Sequence, residues 1–301
     1  MSPIVPASDT RLRVTLLGTG SPSPSLSRHH PAALVQWGAG SAVLVDAGDG
    51  VVSQLLAAGV ALAGVEHVLL THMHWDHILG YPAFVWGSWT AGRSRLDVGG
   101  PAGTVDMHRR LVEDFYRDQA EWAMALGYAR GGWDDIAVRD LAHGWTADID
   151  GCRVDAAVVE HPPMAALAYR FTYGGRSVVI SGDCRRCDGL VSLSVGADVL
   201  VADACAPGAG PDASPGRRAI VERLHEFHAS PQDCVDMAAL AGVGMVVLTH
   251  LLPEAEPIVD TAAFAGRVVI GRADARRWGL QLVLDDKDRD GDDGRDAGRP
   301  G

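Results

Sequence analysis

The stretch THMHWDHILG, Thr71 to Gly80, sets three histidines and an aspartate within six positions, directly after the apolar run VEHVLL. No other feature constrains the fold as strongly, because a buried strand must end where these polar side chains can be used together. Imidazole nitrogens and carboxylate oxygens are the usual ligands of zinc and similar divalent ions. His72 and His74 are two apart and share a side in extended backbone. Asp76 and His77 follow after the chain turns, in position to face a second ion. Alternate ligands before a turn and adjacent ligands after it suit a two-metal centre. The plain alternative, four solvated residues at a strand end, fits poorly with their density.

Further ligand types stand wherever later strands run out. AAVVEHPP ends in His161, SVVISGD ends in Asp183 with Gly182 letting the backbone turn, and GMVVLTH ends in His250. Each alone also reads as a hydrogen-bonded surface residue. Their recurrence after the first motif points to one shared site.

The remaining chain reads as strands alternating with helices, which implies an α/β architecture with mixed sheets. RLRVTLLG, AALVQWG, SAVLVDAG, HVLLTH, SRLDVGG, RVDAAVVEH, LAYRFTY, RSVVISGD, ADVLVADA and GMVVLTH are the expected strands. Helical spacing is expected in VVSQLLAAGV, from ILGYPAFVW, and as one or two long helices in TVDMHRRLVEDFYRDQAEWAMAL. In HASPQDCVDMAALAG, Ser230 predicts an N-cap with Pro231 at the first helical position, Asp233 completing the cap and Gly242 as the stop.

The motif set His-x-His-x-Asp-His, lone His, Gly-Asp and Thr-His resembles the metallo-β-lactamase superfamily over roughly Leu12 to Leu284. The resemblance implies a four-layer αββα sandwich with two mixed β-sheets, spanning residues 1–284, and two zinc ions, manganese or ferrous iron being the alternative load. It implies that His72, His74 and His161 hold the first ion, that Asp76, His77 and His250 hold the second, and that Asp183 bridges. It also implies a homodimer.

LLGTGSPSPS, HILGYPAFV, the block from Glu160 to Ala204 and EFHASPQDCVDMAALAGVGMVVLTHLLP resemble the ribonuclease Z-type branch, which includes aryl- and alkylsulfatases and phosphodiesterases. By that resemblance His228 contacts the scissile group, and an imidazole there can donate a proton to the leaving group or steady developing charge. A helix-cap neighbour without a catalytic part is the other reading, and His225 is a rival. Three departures turn the reading from tRNA processing. No room exists between His161 and Asp183 for the long arm that grips tRNA, the His-Ser-Thr element is HAS, and LLPEAE follows His250. The formal charge of −12 points the same way, since phosphate backbones are held mainly by clustered Lys and Arg.

The expected function is therefore hydrolysis of a small ester, phosphodiester or sulfate ester first, by a hydroxide bridging two ions. The alternatives are a lactone or thioester hydrolase of secondary metabolism, a ribonuclease Z-type RNA 3′-processing nuclease, and a non-catalytic metal-binding sensor. Asp76 is expected to orient the hydroxide as well as bind metal. Asp46 is read either as a carboxylate holding a ligand imidazole or as a turn residue. Trp75, Trp86, Trp89, Ser21 and His29 are candidate pocket residues, with His30 and Arg28 meeting an anionic group, although tryptophans at helical spacing also read as core. Cys184 and Cys187 form a CxxC that reads as packing residues rather than a redox pair or half a zinc site. No basic n-region with an apolar stretch opens the chain and no run is long enough for a membrane span, so the expected setting is the cytoplasm with no membrane partner. The Asp/Gly/Arg-rich stretch 285–301 is expected to be a disordered acidic tail.

Overall fold

Strands rich in Val, Leu and Ala without polar alternation must be covered on both faces, and this chain covers them by packing two seven-stranded sheets against one another. The computed structural model describes residues 11–205, 214–252, 257–272 and 281–284, so the expected tail at 285–301 lies outside the described residues. In the first sheet the strands are β1 (Leu12–Gly18), β2 (Ala32–Trp37), β3 (Ser41–Val45), β4 (His67–Leu69), β5 (Leu96–Gly100) and β6 (Ile136–Asp140). The second holds β7 (Thr146–Ile149), β8 (Cys152–His161), β9 (Met164–Tyr173), β10 (Arg176–Ile180), β11 (Val199–Asp203), β12 (Met245–Thr249) and β13 (Arg267–Ile270). The last strand, β14 (Gln281–Leu284), returns to the first sheet beside β1.

Helices fill the connections: α1 (Val51–Ala57), α2 (Trp75–Ile78), α3 (Tyr81–Thr90), α4 (Thr104–His108), α5 (Phe115–Ala125), α6 (Gly131–Asp134), α7 (Asp188–Ser194), α8 (Pro215–Leu224) and α9 (Pro231–Ala241). The predicted long helix after Gly103 forms as α4 and α5 joined by a π-helical turn over Arg109–Asp114. Met107 and Val112 from this segment join the core over the first sheet.

Side chains alternate along each strand between two cores. Val43 and Val45 of β3 point to the core between the sheets, with Val178 and Ile180 of β10 and Val199 and Val201 of β11. Their neighbours Ala42 and Leu44 meet Val51 and Leu55 of α1 and Phe84 and Val85 of α3. Val179 and Leu200 meet Leu190 of α7 and Val235 and Ala238 of α9. The layers are therefore helix, sheet, sheet, helix.

The two sheets share a plan. In the first, β14, β1, β2 and β3 pair antiparallel, and β3 to β6 pair parallel. In the second, β7 to β10 pair antiparallel, and β10 to β13 pair parallel. Open sheets of this kind collect ligands beyond the carboxyl ends of their parallel strands. Asp46 follows β3, His72 follows β4, Asp183 follows β10, Asp203 ends β11 and His250 follows β12. Hydrogen bonds stitch the sheets together at this edge, Leu167 N to Thr71 O at 2.9 Å and Tyr169 Oη to Leu70 O at 2.7 Å. No helix among the described residues is long and apolar enough to cross a membrane.

Helix α9 starts as its sequence predicts. Ser230 Oγ accepts from Asp233 N at 3.1 Å, Ser230 N donates to Asp233 Oδ2 at 3.0 Å, and Gly242 ends the helix with φ of 64°. Ser230→Ala is expected to cost about 1 kcal/mol of unfolding free energy, read as a lower urea midpoint at unchanged slope; an unaltered midpoint would show that the box contributes nothing.

Candidate metal centre

The sandwich edge gathers the strand-end residues into two adjoining groups. His72, His74, His161 and Asp183 present ligand atoms within 4.8 Å of one another, and so do Asp76, His77 and His250. The backbone explains the first motif. His72 and His74 leave β4 in extended conformation, and His74 itself stands at the cap of α2, whose first turn carries Asp76 and His77. His72 Nε2 lies 3.0 Å from His74 Nδ1, and His161 Nε2 lies 3.1 Å from the same atom. Asp183 sits between the groups. Its Oδ2 is 3.6 Å from His72 Nε2 and 4.0 Å from His161 Nε2, while its Oδ1 is 3.1 Å from His77 Nε2 and 3.3 Å from His250 Nε2. Asp76 Oδ2 is 3.2 Å from His250 Nε2.

Close approach at this edge needs unusual backbone. Gly182 has φ of 58°, and a Cβ there would stand 2.4 Å from the Thr71 side chain, so only glycine brings Asp183 alongside His72. Asp46 and His250 adopt φ of 58° and 56° without being glycine. Such residues persist where surrounding contacts over-determine them.

For Asp46 those contacts are explicit. Its Oδ1 accepts from Thr71 N at 2.7 Å, and its Oδ2 lies 2.8 Å from both Thr71 Oγ1 and His77 Nδ1. The other imidazoles are held from outside in the same way. His161 Nδ1 donates to Phe227 O at 2.9 Å, and Thr71 Oγ1 lies 3.1 Å from His72 Nδ1. Asp203, which sequence reasoning passed over as the end of a strand, divides its carboxylate between two histidines: Oδ2 is 2.9 Å from His228 Nδ1 and Oδ1 is 3.2 Å from His250 Nδ1. The signal was present in ADVLVADA, which repeats the pattern of an apolar strand closing on an acid. His228 is buried with its ring 4.9 Å from His161, whereas the rival His225 is exposed.

Charge separates the groups. Burial, joined by His77, holds His72 well below the usual histidine range, and burial likewise lowers His74 and His161, so all three are neutral. Burial opposes charge on His77 too, but Asp183 and Asp46 outweigh it and push the pKa up to about 10. Against the same desolvation, Asp183 and Asp203 raise His250 well above its ordinary value. Burial alone would raise Asp183, yet His250 and His77 hold it well below the carboxylate range. Asp76 Oδ1, His77 Nε2 and Asp183 Oδ1 are buried and make no hydrogen bond. Buried polar atoms of ligand type without hydrogen bonds are what a divalent cation would satisfy.

The residues expected to wall the pocket take the following places. Trp89 is buried, donating from Nε1 to Ala129 O at 2.8 Å. Trp86 and Trp89 pack with Trp133, Tyr116 and Tyr128 at ring separations of 5.1 to 6.0 Å, Trp89 buried and Trp86 half-buried. Arg28 is engaged with Thr19 Oγ1 and Gly271 O at 2.9 and 2.8 Å. Ser21 is buried and His29 lies against Gly50, and neither enters the contacts above. Trp75 remains half exposed at the motif itself. All five cysteines are free and buried.

Comparison with known proteins gives a concordant picture. The family described as "Beta-lactamase superfamily domain" matches residues 41–251. A ribonuclease Z from Mycobacterium sp. (strain KMS) is 35% identical over 256 residues, covering 82% of this chain and 86% of that one. The metallo-β-lactamase fold protein YhfI of Bacillus subtilis superposes with a TM-score of 0.68 at 19% identity, over 91% of this chain and 100% of that one. The short form of human tRNase Z gives 0.63 at 21%, over 91% and 99%.

Because His77 holds its proton up to about pH 10 in the metal-free protein, a cation entering the group of Asp76, His77 and His250 must displace protons, and one entering among the neutral histidines need not. Affinity of the second-bound equivalent is expected to rise on the order of ten- to a hundredfold per pH unit between pH 7 and 9, with the first nearly flat. Chelator competition at several pH values measures both. Equal slopes would contradict the charge assignment.

Proposed function

This chain belongs to the β-lactamase superfamily and is a metal-dependent hydrolase, and from that premise we propose that it cleaves a small phosphodiester at a centre of two divalent ions, zinc by preference. In this reading His72, His74 and His161 hold one ion, Asp76, His77 and His250 hold the other, and Asp183 bridges. The observation that carries it is the division of the Asp183 carboxylate, with Oδ2 toward one set of histidines and Oδ1 toward the other. Two ions bound there would supply Lewis acidity and a water that ionises near neutral pH.

The chain's own residues complete the chemistry. Asp76 Oδ1, buried and unpaired, accepts a hydrogen bond from the attacking water and orients it. Burial works against charge on His228, but Asp203 more than offsets this and raises its pKa, which favours the protonated ring. Its Nδ1–H is held by Asp203, which leaves the Nε2 proton for the departing oxygen. Asp46 and Asp203 fix the ring orientations of His77 and His228.

A small substrate is favoured by the stretch between His161 and Asp183. Only Pro162 and Pro163 separate β8 from β9, and only Gly174 and Gly175 separate β9 from β10, so nothing projects there to grip a large RNA. The net charge of −12 favours the same conclusion. A second reading, cleavage of RNA near its 3′ end, is favoured by the relatives that bear the name ribonuclease Z.

Chelator treatment is expected to abolish hydrolysis and zinc to restore it. A panel of nitrophenyl phosphodiesters, nitrophenyl sulfate, lactones and precursor tRNA identifies the bond. Precursor tRNA cleaved far faster than every small ester would replace the first reading with the second. Asp203→Asn removes the charge that favours a protonated His228. The high-pH limb of kcat should move to lower pH, with kcat falling roughly ten- to a hundredfold for alkyl leaving groups and little for nitrophenol. Equal losses on both would count against a proton-donor role.

A further inference from the structure

Trp75 stands between His74 and Asp76, one proposed ligand of each ion, yet its side chain is 47% exposed while His72, Asp76 and His77 around it are buried. An indole is a large apolar surface that a fold normally covers. The indole is not loose, however. The ring of His30 meets it at 4.9 Å with an interplanar angle of 90°.

His30 is itself fixed from behind. A Cβ on Gly18 would fall 1.6 Å from the His30 carbonyl oxygen, and one on Gly48 would fall 2.6 Å from its Cβ, so two glycines make the slot its backbone occupies. The side chain is 7% exposed and its Nδ1 is buried without a partner. A buried histidine that gives up a hydrogen bond to keep an edge-to-face contact is acting as a stop for its neighbour.

Resting on the hydrolase reading, we propose that Trp75, set in place by His30, is the platform on which this centre receives a planar aromatic ring carried by the substrate beside the scissile phosphorus. The indole stays exposed within the motif while the ligands His72, Asp76 and His77 beside it in sequence are buried. A ring on the substrate stacks there as its phosphoryl oxygens reach the cations. The ring belongs either to an aryl ester or to a nucleobase, which share this chemistry.

The test uses phenylphosphonate, methylphosphonate and adenosine monophosphate as ligands of the fully metal-loaded protein, with affinity read by calorimetry and metal content verified for every variant. Wild type is expected to prefer phenylphosphonate to methylphosphonate. Trp75→Ala should lose roughly ten- to a hundredfold for phenylphosphonate and little for methylphosphonate, while Trp75→Phe keeps most of the preference. His30 is a positioning residue, so His30→Ala should raise KM for aryl esters at unchanged kcat, and His30→Phe should restore it. Tighter binding of adenosine monophosphate than of phenylphosphonate assigns the ring to a nucleobase, and the reverse assigns it to an aryl group. Equal wild-type affinity for the phenyl and methyl ligands, or equal losses on both in Trp75→Ala, would overturn the platform. If wild type cleaves no ester yet shows the Trp75-dependent preference, the platform stands and the hydrolase reading fails.

Discussion

A carboxylate taken out of water must be paired, and the whole sandwich edge is arranged around pairing Asp183. Five imidazoles, those of His72, His77, His161, His228 and His250, face its two oxygens within 4.0 Å. Leaving such a group unpaired in a low-dielectric interior is among the more costly things a fold can do. The tight turn at Gly182, the left-handed backbone at Asp46 and His250, and the outward hydrogen bonds of His77 and His161 all serve that convergence. Strain at the rim is tolerated because the packed sheets behind it leave no other arrangement.

The architecture explains why two halves suffice. Each sheet changes from antiparallel to parallel midway, and the parallel halves deliver their carboxyl ends to one edge. One sheet supplies the HMHWDH motif and the other supplies His161, Asp183 and His250. Asp46 and Asp203 then play equivalent parts on opposite sides, each a strand-end acid holding the outer nitrogen of an imidazole.

Much of this was legible in the sequence because interior strands carry unbroken apolar runs and the ligand types stand where those runs stop. Other parts were not. Strands β6 and β7 lie at sheet edges and expose alternate residues, so IAVRD and TADI lack the apolar density that marks a strand. Asp203 had the right position but no neighbouring histidine in sequence, and its part emerges only when His228 and His250 arrive from elsewhere. Trp86 and Trp89 could not be assigned to wall or core from spacing alone. Their partners Tyr116 and Trp133 come from the segment whose docking no local pattern revealed. The π-helical turn within that segment likewise has no local signature.

The return of β14 to pair with β1 carries a consequence for biosynthesis. The second sheet is built from residues contiguous in the chain, from Thr146 to Ile270, and can assemble once those have left the ribosome. The first sheet gains its outer strand only when Gln281 to Leu284 reach Thr15 to Leu12 across nearly the whole polypeptide. Such long-range closure is slow. The proposed ligands run from His72 to His250, so a nascent product that stops short of His250 carries no complete cradle.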